Sequence, residues 1–459
     1  MADTKGRFLT GSTMGHIMRM TITGTAGITF VFIVDAINLF WISWLNDVRL
    51  ISAMGFSFSI QFFSVSVGIG LMIAATAMVS KAIGEGRLQK ARKLATSIMI
   101  ICGLVQSLVA LIIIVFRHEF LAFMGPELET AKLAQRYLFI SLFSLPIMAV
   151  GMAGSAILRA EGDGVRAMLV TLTPGAFAML IDPILIVYFE LGLDGAAIGI
   201  CISRLVMAFT ALWFVIRHHN LLARPQVFRI LRDIKPFLFV AGPTILTQLS
   251  TPVGNYFLTI VMAGFGDSAV AAWAVVNRLT ILSFGGIFSL SGAIGGIFGQ
   301  NFGAKEFDRL KTTYRDGLIF CVGYIILIWF ALVLLNDVII QAFNIDEFGA
   351  DIIWTFTHFT PGSFIFTGMM FVACSVFNNS GKPLWSTGLN WARDGLFTLP
   401  TALLISGSYA ASGVIYAQGI VAIFFGIIAV IWGLYYVCLL YTSDAADEGL
   451  GVDLGGRRI

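Results

Sequence analysis

The chain has 459 residues, of which 58% are hydrophobic and only 12% charged, and its formal charge is +3. With a mean hydropathy of +0.89, it is too apolar for a water-soluble globule of this length and reads as a polytopic membrane protein. A balance so near neutral leaves no electrostatic footprint for nucleic acid. The five cysteines show no C-x-x-C or His-paired spacing and read as small packing residues rather than disulfides or metal ligands.

In chain order, Met1 to Thr13 is polar, and the apolar stretch after it is too long for a signal-peptide core, so it is expected to stay in the membrane. Runs of about 20 apolar residues predict twelve helices, near 18–44, 50–79, 94–116, 135–158, 166–189, 194–216, 236–264, 268–298, 313–335, 352–377, 384–406 and 411–437. The first carries Asp35 near its middle and the fifth carries Asp182 in the pair Asp182-Pro183. A carboxylate at that depth costs about 2.5–3.5 kcal/mol to insert, which marks both acids as functional. Counted from Arg19 and Arg166 at about 1.5 Å per residue, both lie ~25 Å from the inner surface, so the pair is expected to share one cation or proton.

Lys and Arg test this topology, because cytoplasmic loops hold the excess. With the N-terminus inside, 20 of them fall on the cytoplasmic side, and only Arg49, Arg117, Lys132 and Arg136, four in all, fall opposite. Both termini are therefore expected in the cytoplasm.

The basic connection from Arg217 to Lys235 divides the chain into an N-terminal six-helix lobe (1–217), a cytoplasmic linker (218–235) and a C-terminal six-helix lobe (236–437). The lobes repeat. Gly84 in the segment after the second span matches Gly303 in Gln300-Asn301-Phe302-Gly303-Ala304, an offset of 219. Gly162, closing Leu158 to Asp163, matches Gly381, again at 219, and Gly195 matches Gly413 at 218. Six spans per copy insert both copies the same way up, related by an axis along the membrane normal. Residues 438–459 are abruptly polar, and Cys438 to Glu448 and Gly451 to Ile459 resemble translated sequencing-library adapters. They are expected to be non-native and are set aside.

Several motifs in fixed order carry a family resemblance. They are Val34-Asp35, Val79-Ser80 to Arg92, Leu158 to Asp163, Ile181-Asp182-Pro183, Leu193-Asp194-Gly195-Ala196-Ala197, and Val276-Asn277-Arg278 leading to Gly299 to Ala304 and Phe307-Asp308-Arg309. From about His16 to Val437 the chain resembles the multidrug and toxic compound extrusion (MATE) transporters. The resemblance implies an all-α membrane protein of twelve transmembrane helices in two pseudo-symmetric six-helix bundles. It also implies alternating access and export of cationic amphipathic or drug-like compounds against H⁺ or Na⁺, with Asp35 and Asp182 as the coupling acids. Polar residues common in that family one turn before each acid and on the sixth helix correspond here to Val31, Ala178 and Ile200. Na⁺ wants a shell of several oxygens whereas a proton needs only the carboxyl, so H⁺ is the expected coupling ion.

Arg204, Arg278 and the neighbours Arg393-Asp394 are the remaining charges at membrane depth. Arg393 and Asp394 point about 100° apart on an α-helix and need not pair; Arg278 and Asp394 are placed to pair only near the midplane. Trp273 and Met369 or Met370 are expected to line an adaptable cavity. Only His358 lies within a predicted span, so the clustered groups of a membrane enzyme are missing and no catalytic residue is expected. The glycine-rich loops lack a Gly-Lys-Ser/Thr ending, so no nucleotide and no cofactor beyond the coupling ion is expected. Two acids confined to one lobe do not make the ring of a passive channel. The expected protein is a monomeric multi-pass antiporter of a bacterial-type inner (plasma) membrane whose partners are a small organic substrate and membrane lipid. The alternative is a lipid-linked oligosaccharide flippase of the same superfamily, which needs a basic cavity for pyrophosphate.

Overall fold

The computed structural model describes residues 6–45, 47–124, 128–343 and 345–455, and among them every regular element is helical. The α-helices are α1 (Thr13–Ser43), α2 (Val48–Gly84), α3 (Leu88–Met124), α4 (Leu128–Leu142), α5 (Leu145–Glu161), α6 (Gly164–Pro183), α7 (Gly192–Trp213), α8 (Val227–Ala263), α9 (Asp267–Gly303), α10 (Phe307–Ala342), α11 (Glu347–Asn379), α12 (Pro383–Asn390), α13 (Thr398–Tyr409) and α14 (Ser412–Gly455). They make twelve spans, because α4 and α5 form one span bent by 50°, and α12 and α13 are joined through a π-helical turn, Trp391–Phe397. Among the described residues nine helices are individually long and apolar enough to cross a membrane, and the bent pair makes ten. The other two predicted spans are α8 and α12–α13. Helices of 37 residues such as α2 and α3 are about 55 Å long and outrun a hydrocarbon layer of about 30 Å. Hydropathy therefore marked only their apolar middles. The last helix continues through Gly455.

The chain forms two compact units. One comprises Met20–Ser80 and Arg87–Pro252; the other comprises Met1–Arg19, Lys81–Gly86 and Val253–Ile459. The boundaries fall inside α1, α2 and α8 and between α2 and α3.

In the first-half unit, α7 packs against α4, α5 and α6, and α3 packs against α4 and α5. In the second-half unit, α14 packs against α11 and α13, and α10 against α11, so the same neighbours recur one half-chain later. Helices in lipid gain little from burying apolar surface and associate through close packing of small residues. The repeat glycines show this. A Cβ on Gly84 would overlap the Gln300 carbonyl, and a Cβ on Gly303 would overlap the Lys81 carbonyl. Residues 81 and 84 correspond to 300 and 303 at the offset of 219, so the contact is reciprocal within this unit.

The break between α4 and α5 has a local cause. Pro146 stands in the first turn of α5, and without an N–H it cannot bond the carbonyl one turn back. Backbone groups freed inside a membrane must find partners in the protein. Arg204 of α7 supplies them, donating from Nη1 to the Ser141 carbonyl at 2.9 Å and to Ser144 Oγ at 2.8 Å. Its Nη2 reaches Gln61 Oε1 at 3.0 Å, and Gln61 Nε2 donates to Ser141 Oγ at 2.9 Å. A cation here also faces the negative end of the α4 dipole.

The linker lies on the same unit. His219 Nε2 is 2.9 Å from Asp163 Oδ2, and both side chains are buried. The amide of Ala223 donates to Thr96 Oγ1 at 2.9 Å, which returns a bond to the Ala223 carbonyl at 3.2 Å. Asp163 also caps α6, accepting from the Arg166 amide at 3.0 Å.

Candidate functional site

α6 carries Asp182 at its end, just before Pro183, and a π-helical turn, Ile184–Tyr188, follows. Pro183 cannot complete the helix bond to the carbonyl of Met179, so the backbone around Asp182 is already irregular. Its side chain is only 2% exposed. Carboxylate Oδ1 has no hydrogen-bond partner among the described residues. The room it occupies is provided by Gly199 of α7, where a Cβ would overlap Oδ1.

Asp35 lies on α1, and unlike Asp182 its side chain is exposed. Packing of α1 on α6 fixes their relative level. A Cβ on Gly164 would meet Met20 and Thr23, Gly27 faces Thr171, and a Cβ on Gly175 would meet Phe30 at 2.8 Å and Val34 at 2.9 Å. The helices run parallel, and seven residues beyond Gly175 brings Asp182 level with residues 37–41. Asp35 is level with Ala178. The acids are thus offset by about one turn, roughly 5 Å, which corrects the expectation of matched depth. Arg19 and Arg166, from which depth was counted, do not stand at one level, because Gly164 already meets residues 20 and 23.

At the level of Asp182 the structure brings up two groups that sequence reasoning missed. Asn38 Oδ1 and Trp41 Nε1 are both buried and without a hydrogen-bond partner among the described residues. Asn38 was signalled in the sequence as a polar residue one turn after Asp35 in an apolar run. A third is Tyr137 of α4, which is buried in a cluster that Trp41 packs against. A buried carboxylate oxygen without a donor is costly. Either a proton or a cation relieves that cost, and this is the chemistry the arrangement offers.

The other candidates fall elsewhere. Arg204 is spent on the α4–α5 break and does not reach an acid. In the second-half unit Arg393 and Asp394 do pair, Nε to Oδ1 at 2.6 Å and Nη2 to Oδ2 at 2.9 Å. The expectation of divergent side chains assumed an α-helix; a π turn holds more residues per turn, so neighbours diverge less. Arg278 is exposed and makes no ion pair among the described residues, so the Arg278–Asp394 pairing is not formed. Trp273 is 2% exposed, its indole N–H donating to Thr259 Oγ1 at 3.1 Å; it joins α9 to α8 rather than lining a cavity. Met369 is half-buried, while its neighbour Met370 is buried with its sulfur 3.8 Å from Arg393 Nη1.

A family model described as MatE matches residues 25–185 and again 243–404, so the two matches are offset by 218 and 219. A protein of Shewanella oneidensis named FAD transporter is 22% identical over 434 residues, which cover 93% of this chain and 95% of that protein. The Multidrug export protein MepA of Staphylococcus aureus is 22% identical over 87% of this chain and 89% of its own length. Among solved structures, a mutant of the Vibrio cholerae MATE transporter VcmN superposes with a TM-score of 0.88 at 24% identity, covering 94% of this chain and 98% of that one. A Pyrococcus furiosus transporter of the MOP superfamily, described as having a binding pocket of reversed polarity, gives 0.86 at 21% identity, covering 95% and 99%.

Proposed function

This chain belongs to the MATE family of membrane transporters, and on that premise we propose that it is a secondary antiporter exporting cationic amphipathic or drug-like compounds in exchange for H⁺. The observation that carries the reading is the buried Asp182 carboxylate, whose Oδ1 lacks a hydrogen-bond partner among the described residues, about one turn along the α1–α6 packing from accessible Asp35. Proton and cationic solute compete for the same negative charge, and that competition is exchange in its smallest form. Protons rather than Na⁺ suit the site because Val31, Ala178 and Ile200 offer no side-chain oxygens for a hydrated ion to trade into. The name of the S. aureus relative supports drug-like cargo. In this reading both termini face the cytoplasm across a bacterial-type inner membrane, as the 20-to-4 division of Lys and Arg supports.

An oligosaccharide flippase would need a cluster of free cations at membrane depth; Arg204 is committed to Gln61, Ser141 and Ser144 and Arg393 to Asp394, which leaves Arg278 as its remaining candidate. The test is efflux of a cationic dye from cells producing the Asp35→Asn variant. The reading expects efflux to fall at least about tenfold at unchanged protein level, and undiminished efflux would remove the mechanism.

A further inference from the structure

The signature segment around Gly303 plays no part in the exchange just described, yet it gathers several long-range polar contacts. Arg309 Nη2 donates to the Phe8 carbonyl at 2.9 Å and to the Gly11 carbonyl at 3.1 Å, and Nη1 donates to Gly11 at 3.1 Å. Its Nε reaches Asn301 Oδ1 at 3.3 Å. Gln300 Oε1 accepts from the Phe8 amide at 2.9 Å, and Asp316 accepts from the Thr13 hydroxyl. Phe8 is 1% exposed and meets His16 edge-on with ring centroids 5.2 Å apart. A Cβ on Gly6 would crowd Gln300 Oε1, so even the first described residue is fitted to this seat.

We propose that Arg309 is a positioning residue for transport: it seats the N-terminal segment in the signature segment and so fixes the root of α1, the helix that carries Asp35. This rests on the exchange reading. A planar fork satisfying backbone carbonyls in two directions holds a segment in one register, which a point charge does not. α1 runs unbroken from Thr13 to Ser43, so a slip of one residue at its root moves Asp35 by about 1.5 Å along the axis and about 100° around it. The repeat supplies a second, independent observation. In the first-half unit the lead-in to α8, the opening helix of the other copy, is pinned to the start of α3 by the paired Thr96–Ala223 bonds. α3 is the counterpart of α10, which carries Arg309. In each unit, then, the segment leading into an opening helix is held by side chains of that same unit.

The test uses the full chain with two readouts. One is trypsin cleavage after Arg7, followed by intact mass, which reports whether the Arg7–Leu9 turn is seated. The other is the number of dye molecules exported per proton taken up in proteoliposomes under an imposed ΔpH, a ratio that does not depend on how much protein is folded. Arg309→Ala is expected to speed cleavage about tenfold and to lower the dye-to-proton ratio by half or more, with Arg309→Lys between it and wild type. Thr13→Val, which removes one hydroxyl of the same seat, should shift both in the same direction, and it decides the matter if Arg309→Ala does not fold. Unchanged cleavage overturns the seat, and faster cleavage with an unchanged ratio overturns its positioning role. Asp35→Asn in the same vesicles separates the two claims: if it retains the wild-type ratio, the exchange reading falls whatever Arg309 does.

Discussion

A carboxylate in a protein that lies mostly in hydrocarbon can be satisfied by a fixed cation, by backbone donors, or by an exchangeable ion, and this chain contains contrasting cases. Asp163, at the N-terminal start of α6, uses the first two. Burial would lift its carboxyl, but His219 and the Arg166 amide and guanidinium outweigh that and hold it well below the usual carboxylate range. Because the folded value lies below the ordinary one of about 3.9, the contribution to stability is fully present above about pH 5 and is lost as pH falls through the folded value. Asp163→Asn should therefore lower the melting temperature in detergent by a constant amount between about pH 5 and 8, with the gap closing below about pH 4. A gap that widened on acidification would contradict the assignment. Asp182 Oδ1, by contrast, has no hydrogen-bond partner among the described residues, and the proposed exchange reading assigns it the third.

At the scale of elements, the bent fourth span shows what sequence reading reaches and where it stops. A run of apolar residues over 135–158 was legible because hydrocarbon thickness sets its length. The 50° break was not, although Pro146 stood in plain sight, because a proline inside a span is tolerated when neighbours take up the freed groups. Arg204 was picked out as a charge at membrane depth, but its purpose came from Ser141, Ser144 and Gln61, which lie 60 to 143 residues away in sequence. Replacing it tests that purpose. Arg204→Leu strands a carbonyl, a hydroxyl and an amide oxygen, and should cost about 3 kcal/mol or more of stability, read as a drop in thermal denaturation. Arg204→Lys should recover only part, since an ammonium does not reproduce the fork. A variant as stable as wild type would mean that the break is held by something else. The π turn at Trp391–Phe397 was equally silent in the sequence, and on it Arg393 and Asp394, which an α-helix would not oblige to pair, meet.

Across the whole molecule, duplication was the most legible feature. The offset of 219 read from Gly84 and Gly303 returns as their reciprocal packing against residues 300 and 81 and as the spacing of the two MatE matches. Span number and order were also legible, because a membrane imposes one length scale on every crossing. The exchange of opening segments between the copies was not, since Arg309 and Phe8 lie 301 residues apart and nothing local links them. The same holds for the site: Asp35 and Asp182 announced themselves by the cost of burying charge, whereas Asn38, Trp41 and Tyr137 acquire meaning only from the level at which α1, α4 and α6 bring them together. The central claim, that this pair of acids trades a proton for a cationic solute, is tested most directly in proteoliposomes loaded with a cationic dye and given ΔpH and ΔNa⁺ in separate runs. Transport driven by ΔpH alone, abolished by Asp182→Asn, is the predicted result; transport that follows ΔNa⁺, or that survives the loss of Asp182 under ΔpH, would contradict it.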